Sequence, residues 1–265
     1  MIQTIQYRNS PIRFSDKGQG HPLVFLHGYL LSLDVWQEFV EGFVSDYRVI
    51  CIDLPGHGGS EIVEEVSTME IMGETVEAVL KHLSISKAVF FGHSMGGYAT
   101  LALLNRRPDL FTAISLFHSH TRADGDEVKQ KRDREVKLIS RGHRSLLVSQ
   151  SIPNMFANDH LSENQESLEM CKRIAREMND QSVKAAILGL RARPDRTELL
   201  ANAKCPCLQI IGKKDNFIPY EEVSLKTILP AGSERLIADE TGHMGFFEQP
   251  EFFQNGILQF LKRIL

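Results

Sequence analysis

One stretch limits the possible folds more than any other. Ala88-Val89-Phe90-Phe91 runs into Gly92-His93-Ser94-Met95-Gly96, and then into a helix-period run from Ala99 to Arg106. The first run is short and wholly apolar, as a strand buried on both faces would be. Almost no residues remain for the turn between strand and helix. Its central residue, Ser94, must take a strained backbone conformation, and the glycines on either side leave room for the crossing chain. Ser94 is then expected to stand at the edge of a sheet. The amides of the following helix point at the same spot, ready for negative charge. A plain surface turn is the alternative, but G-x-S-x-G between a strand and a helix has the form of a nucleophile elbow.

The rest of the chain repeats the pattern. Ile2 to Tyr7 and Ile12 to Ser15 alternate around Asn9-Ser10-Pro11 and read as an antiparallel edge hairpin. Leu23 to Leu26 and Arg48 to Ile52 read as buried parallel strands, with a helix expected over about 35–44. Thr68 is placed to cap a helix from Met69 to His82. Phe111 to Phe117 is a further strand. Strands then stop between Ser119 and Leu200, where 15 basic and 13 acidic residues mix. Mixed signs mean solvated helix faces and not a nucleic-acid patch. Ser162 with Gln165 and Asp195 with Glu198 have capping-box spacing, and Leu168, Cys171, Ile174, Ala175 and Met178 form a stripe expected to pack on the main domain. Strands resume at Cys207 to Gly212 and Glu234 to Ile237, and Pro250 to Arg263 reads as a last amphipathic helix.

Alternating strands and helices predict an α/β fold, with a mostly parallel sheet covered by helices on both faces. The expected division is a core of residues 1–118 and 201–265 and a helical cap of residues 119–200. A cap at that place lies over the C-terminal edge of the sheet, where open α/β sheets bind ligands. The 265 residues, 42% of them hydrophobic, suffice for one sizeable core. A net charge of −4 argues against a nucleic-acid partner. The residues from Met1 onward have neither a signal-peptide pattern nor a membrane-spanning run, so a cytoplasmic protein with no membrane partner is expected. Cys205-Pro206-Cys207 has no second pair at zinc-ligand spacing, and no metal or cofactor is expected.

Three residues fall at the C-terminal ends of expected strands, in the order Ser94, Asp215, His243. A serine hydroxyl needs a base to become a nucleophile, and the base needs a partner that fixes its tautomer. His243 fits the base and Asp215 the orienting acid, with Asp124 and Asp126 in reserve. A developing oxyanion needs two donors. The N–H groups of Met95 and of Tyr29, beside Gly28, are the candidates. His27 and His57 read as structural. His93 and His118 are candidate pocket residues, although packing is the favoured reading of His93. Arg122, Arg191 and Arg193 read as solvated rather than as partners of a substrate carboxylate.

The chain resembles the α/β-hydrolase superfamily. The residues that carry the resemblance are His27-Gly28-Tyr29, Asp53 to Ser60, Gly92 to Gly97, Asp215 after Gly-Lys-Lys, and Gly242-His243 followed by Glu248-Gln249-Pro250. The nearest likeness is to small cytosolic carboxylesterases, enol-lactonases and pimeloyl-ester esterases. Arg191 to Thr197 is similar to a segment of the enol-lactonases. Serine at position 94 separates the chain from dehalogenase and epoxide-hydrolase branches, which place an aspartate there. The resemblance implies an enzyme acting on a small ester, lactone or thioester, as a monomer or homodimer. The same scaffold also hosts lyases, C–C bond hydrolases and ligand receptors, so fold alone does not decide the chemistry.

Overall fold

A computed structural model describes residues 1–265. Eight strands form one sheet: β1 (Ile2–Tyr7), β2 (Ser10–Lys17), β3 (His21–Leu26), β4 (Tyr47–Ile52), β5 (Ala88–His93), β6 (Phe111–Phe117), β7 (Cys207–Gly212) and β8 (Glu234–Ala238). Their order is β1-β2-β4-β3-β5-β6-β7-β8. β1 and β2 form the antiparallel hairpin, β2 joins β4 antiparallel, and every later pairing is parallel.

The strand order has a consequence for function. The chain leaves β3 to build β4 on one side, then returns to build β5 on the other side of β3. Connections leave in opposite directions at this switch point, which opens a crevice beyond the C-terminal ends of β3 and β5. The segments that end there are His27-Gly28-Tyr29 and His93-Ser94.

β5 is buried along its whole length. Its side chains alternate between two cores. Phe91 stacks on Phe25 of β3 at 4.7 Å between ring centroids, on the side of Trp36, Phe39, Phe43 and Phe253. Phe90 stacks on Phe111 at 4.2 Å on the opposite side, with helices α1 (Met69–His82) and α2 (Met95–Arg106). Each such ring removes roughly 1.5–3 kcal/mol worth of apolar surface from water, so the strand under Ser94 is held firmly from both faces. Thr68 caps α1 as expected, its hydroxyl accepting from the Ile71 amide at 3.2 Å.

Between β6 and β7 there are only helices: α3 (Asp126–Ser140), α4 (Arg144–Ser151), α5 (Gln165–Glu177), α6 (Asp180–Ala192) and α7 (Thr197–Ala201). The stripe of α5 packs into the core that holds Phe25 and Trp36. The chain closes with α8 (Tyr220–Lys226), β8, α9 (Gly245–Glu248) and α10 (Pro250–Ile264). No helix is long and apolar enough to cross a membrane.

Two local expectations differ. The helix over 35–44 is a pair of 3-10 turns, Leu33–Trp36 and Phe39–Gly42. Ser32 caps the first turn, its hydroxyl accepting the Asp34 N–H, and the Leu33 N–H donates to Asp53. Ser162 does not cap α5, which starts after Asn164. Asp195 does bond the Thr197 amide at 2.8 Å, at the start of α7.

Candidate active site

Ser94 sits between β5 and α2 with φ 49° and ψ −114°, backbone angles that a serine rarely adopts. The tightness of the turn explains Gly92: a Cβ there would lie 2.6 Å from the Gly96 carbonyl and the Gly97 amide. The Ser94 hydroxyl caps none of the amides of α2. Met95, the first residue of α2, has an amide with no intrahelical partner. Gly28 brings the β3 loop against the turn; a Cβ there would meet His93 Nδ1 at 2.7 Å and Ser94 Cβ at 3.3 Å. Tyr29, Ser94 and Met95 thus share one wall of a cavity of about 620 Å³.

Asp215 and His243 come to the same place from β7 and β8. His243 Nδ1 lies 2.7 Å from Asp215 Oδ2, and both side chains are almost wholly buried. Asp215 Oδ1 accepts the N–H groups of Phe217 and Ile218 at 2.8 and 2.9 Å. With three donors on one carboxylate, His243 keeps its proton on Nδ1 and leaves Nε2 bare. No hydrogen bond joins the Ser94 hydroxyl to His243 in this structure, although both line the cavity.

The loop of His243 is clamped from the inserted helices. Its amide donates to the Met155 carbonyl at 2.8 Å. The Glu248 carboxylate accepts from the amides of Ala157, Gly242 and Met244, each at 3.0 Å. His93 Nε2 donates to the His243 carbonyl at 2.9 Å. So His93 anchors the loop as well as packing, and it also touches the cavity. Burial holds it neutral, and the neighbouring rings of His243 and His118 push the same way.

The other expected residues fall as follows. His118 is not part of the cavity wall; it lies behind the acid, its Nδ1 3.8 Å from Asp215 Oδ2, buried and held neutral by burial. Asp126 is exposed at the start of α3. Asp124 is buried and paired with Arg132 at 2.5 Å and Arg193 at 2.6 Å, away from His243. His27 accepts from the Leu54 amide at 3.0 Å and donates to the Gly28 carbonyl, a structural role. His57 is wholly buried, its Nδ1 donating to the Pro55 carbonyl at 3.1 Å.

The arginines divide. Arg191 pairs with Asp133 near the surface, and Arg122 with Glu222 at the cavity. Arg193, expected to be solvated, is buried instead. Its guanidinium lies over the Tyr98 ring at 4.1 Å and bonds Asp124. Sequence reading also missed Tyr98 and Arg132, which line the cavity beside it. Tyr98 was the more legible of the two, because it lies one helical turn after Ser94. No group of three His, Cys, Asp or Glu side chains gathers as a metal site requires.

A serine on a strained turn, a histidine–aspartate pair and two loop amides thus surround one cavity. The family model described as alpha/beta hydrolase fold matches residues 21–250. The chain belongs to the alpha/beta hydrolase fold family. Its relatives include the dihydrolipoyllysine-residue acetyltransferase component of the acetoin cleaving system of Pseudomonas putida, 29% identical over 92% of this chain. The chain spans 64% of that relative's length. A 2-hydroxy-6-oxononadienedioate/2-hydroxy-6-oxononatrienedioate hydrolase of Burkholderia vietnamiensis is 28% identical, over 95% of this chain and 91% of its own. Among solved structures, a thermophilic esterase from Thermogutta terrifontis, in a malate-bound form, superposes with a TM-score of 0.93. It is 28% identical, with 100% of this chain and 99% of that one covered. Within the family, the likeness of this hydrolase-fold chain is to the esterase branch.

Proposed function

We propose that this chain is a serine hydrolase that cleaves a small carboxylic ester, lactone or thioester through an acyl-enzyme. The observation that carries the reading is the 2.7 Å His243–Asp215 bond in a cavity whose wall holds Ser94 at φ 49°. Substrate in the cavity closes the Ser94–His243 hydrogen bond, which such sites commonly leave loose when empty. Ser94 Oγ attacks the carbonyl carbon and its proton passes to His243 Nε2. The oxyanion accepts from the amides of Tyr29 and Met95. As the C–O or C–S bond to the leaving group breaks, His243 returns the proton to that group. Water then attacks the acyl-enzyme by the same route, releasing the acid and restoring the Ser94 hydroxyl. Asp215 keeps the imidazole in the required tautomer and stabilises its charged form. The likeness to a structure described as an esterase supports this reading.

A second reading is C–C bond hydrolysis at the same three residues, supported by the Burkholderia vietnamiensis relative. A fluorophosphonate probe, followed by mass spectrometry, tests the first. The expected result is label on Ser94 in the wild type and none in Ser94→Ala, with p-nitrophenyl esters turned over by the wild type alone. Full ester turnover by Ser94→Ala would overturn the mechanism. Turnover of a vinylogous diketone without an acyl-enzyme on any ester would favour the second reading.

A further inference from the structure

Two arginines in the cavity share one carboxylate. Asp124, buried, forms an ion pair with Arg193 Nη1 at 2.6 Å through Oδ1 and accepts Arg132 Nε at 2.5 Å through Oδ2. Among the other charged groups of the lining, Arg122 pairs with Glu222, which also holds Lys226, and Lys131 lies 4.0 Å from Glu135, so four basic side chains face three carboxylates. One positive charge is therefore left over, on the Arg132–Arg193 side. Arg193 gives Nε to the carbonyl of Arg122 and Nη1 to that of Leu190, and its face lies on Tyr98. Arg132 uses only Nε, so its two terminal nitrogens have no protein acceptor. They lie on a side chain that still touches open space.

The hydroxyl of Tyr98 adds another unclaimed donor. The Arg122 amide donates to His120 Nδ1 at 3.1 Å, so the neutral ring carries its proton on Nε2. Burial keeps this histidine neutral, its pKa pushed down to about 3. That Nε2–H points at the Tyr98 hydroxyl, 3.1 Å away. The hydroxyl accepts there and its own proton is left for the cavity. The one cavity lining therefore carries a guanidinium fork without a hydrogen-bond acceptor, a hydroxyl donor and a surplus of one positive charge, with Glu135 near Arg132 but not bonded to it.

We propose that this part of the lining is a carboxylate subsite, and that the substrate of the Ser94 centre carries a carboxylate on one half of the molecule. The inference rests on the ester-cleaving reading above and names its substrate class. A single surplus charge matches a carboxylate better than a doubly charged phosphate monoester, and the planar fork of Arg132 fits two carboxylate oxygens. The carboxylate docks on the terminal nitrogens of Arg132 and accepts a hydrogen bond from the Tyr98 hydroxyl, while the carbonyl to be attacked lies at Ser94.

Two matched pairs test this. Mono-4-nitrophenyl glutarate against 4-nitrophenyl valerate places the acid in the acyl half. 4-Acetoxybenzoate against 4-acetoxybenzamide places it in the leaving half. At least one pair is expected to favour the acid by about tenfold or more in kcat/KM, chiefly through KM, as a charge-assisted bond would. Arg132→Met is expected to bring that ratio close to one. Because Arg132 also holds Asp124, Tyr98→Phe serves as a second variant, which keeps the ring under Arg193 and is expected to reduce the ratio several-fold. Calorimetry gives a measure independent of turnover: glutarate is expected to bind the wild type about tenfold or more tighter than glutaramide, and Arg132→Met to lose that difference. The proposal is overturned if neither pair favours the acid and glutarate binds no better than its amide, or if both variants keep the preference. Failure of the ester-cleaving reading has a different signature: neither member of either pair is hydrolysed, whatever glutarate does.

Discussion

The exchange Asp215→Asn separates the charge of this residue from its shape. Asp215 Oδ1 accepts two backbone amides, Phe217 and Ile218, and Oδ2 receives the His243 Nδ1 proton. An asparagine has one oxygen for these two jobs. With its oxygen toward the amides, its NH2 faces His243 Nδ1, which must then accept. The imidazole proton moves to Nε2, and the ring can no longer take a proton from Ser94. Turning the amide over restores the tautomer but leaves two buried N–H groups facing an NH2. At about 1–3 kcal/mol for each unpaired group, the turned form costs roughly 2–6 kcal/mol. The productive tautomer is therefore populated about 30-fold to 10⁴-fold less, at about 1.4 kcal/mol per factor of ten. Loss of the negative charge beside the imidazolium lowers the rate further. The assay is kcat on a p-nitrophenyl ester, with the urea midpoint as a control for folding; the isosteric exchange is expected to leave that midpoint nearly unchanged. A variant within fivefold of wild-type kcat would refute the role given to Asp215.

Other expectations follow from the same geometry. Gly92→Ala places a Cβ 2.6 Å from the backbone of Gly96 and Gly97. The strained turn cannot yield without moving Ser94, so a loss of about 3 kcal/mol or more is expected from denaturant unfolding; an unchanged midpoint would contradict the tight turn. Glu248→Ala leaves three buried amides without their acceptor. It is expected to cost roughly 3 kcal/mol or more and to lower kcat at least tenfold by freeing the His243 loop, read by urea unfolding and ester turnover. Acid should weaken the fold through its buried histidines, with Asp53, pushed up to about 6 by burial, offsetting part of the loss. Burial pushes His57 down to about 4, so between pH 6.5 and 4 the unfolded chain binds a proton that the folded chain does not. The stability from this residue is complete above pH 6.5 and falls by about 3 kcal/mol as pH drops to 4. His27, His93 and His118 are lowered in the same direction by burial. Urea midpoints at pH 7.5 and pH 5 should differ markedly, and equal midpoints would contradict four neutral buried histidines.

The alternation of apolar runs made the sheet legible, because strands buried on both faces admit few polar residues. The Ser94 turn was legible because so little chain separates strand from helix. Asp215 and His243 could be placed by their positions after strands, and the structure brings them within hydrogen-bond distance. The 35–44 segment misled because apolar spacing does not distinguish one long α-helix from two short 3-10 turns, which bury the same residues. Arg193 was misread for a similar reason. An arginine among many charged residues resembles a solvated one until its buried partner, Asp124, is 2.6 Å away. Nor does any sequence spacing reveal that Glu248 bonds an amide 91 residues earlier.

That last bond limits how the molecule can be altered. The helices between β6 and β7, which contribute residues to the cavity lining, are the natural part to trade between relatives when a new specificity is wanted. In this chain the stretch that ends in Met155 and Ala157 also fixes the position of His243. A chimera that replaces everything between β6 and β7 would remove the support of its own His243. One that exchanges only residues 126–151 would replace Arg132 and the rest of α3 and α4, yet retain those two anchoring residues. Transplants cut at the second pair of boundaries should remain active with changed selectivity, while transplants cut at the first should fold and lose turnover.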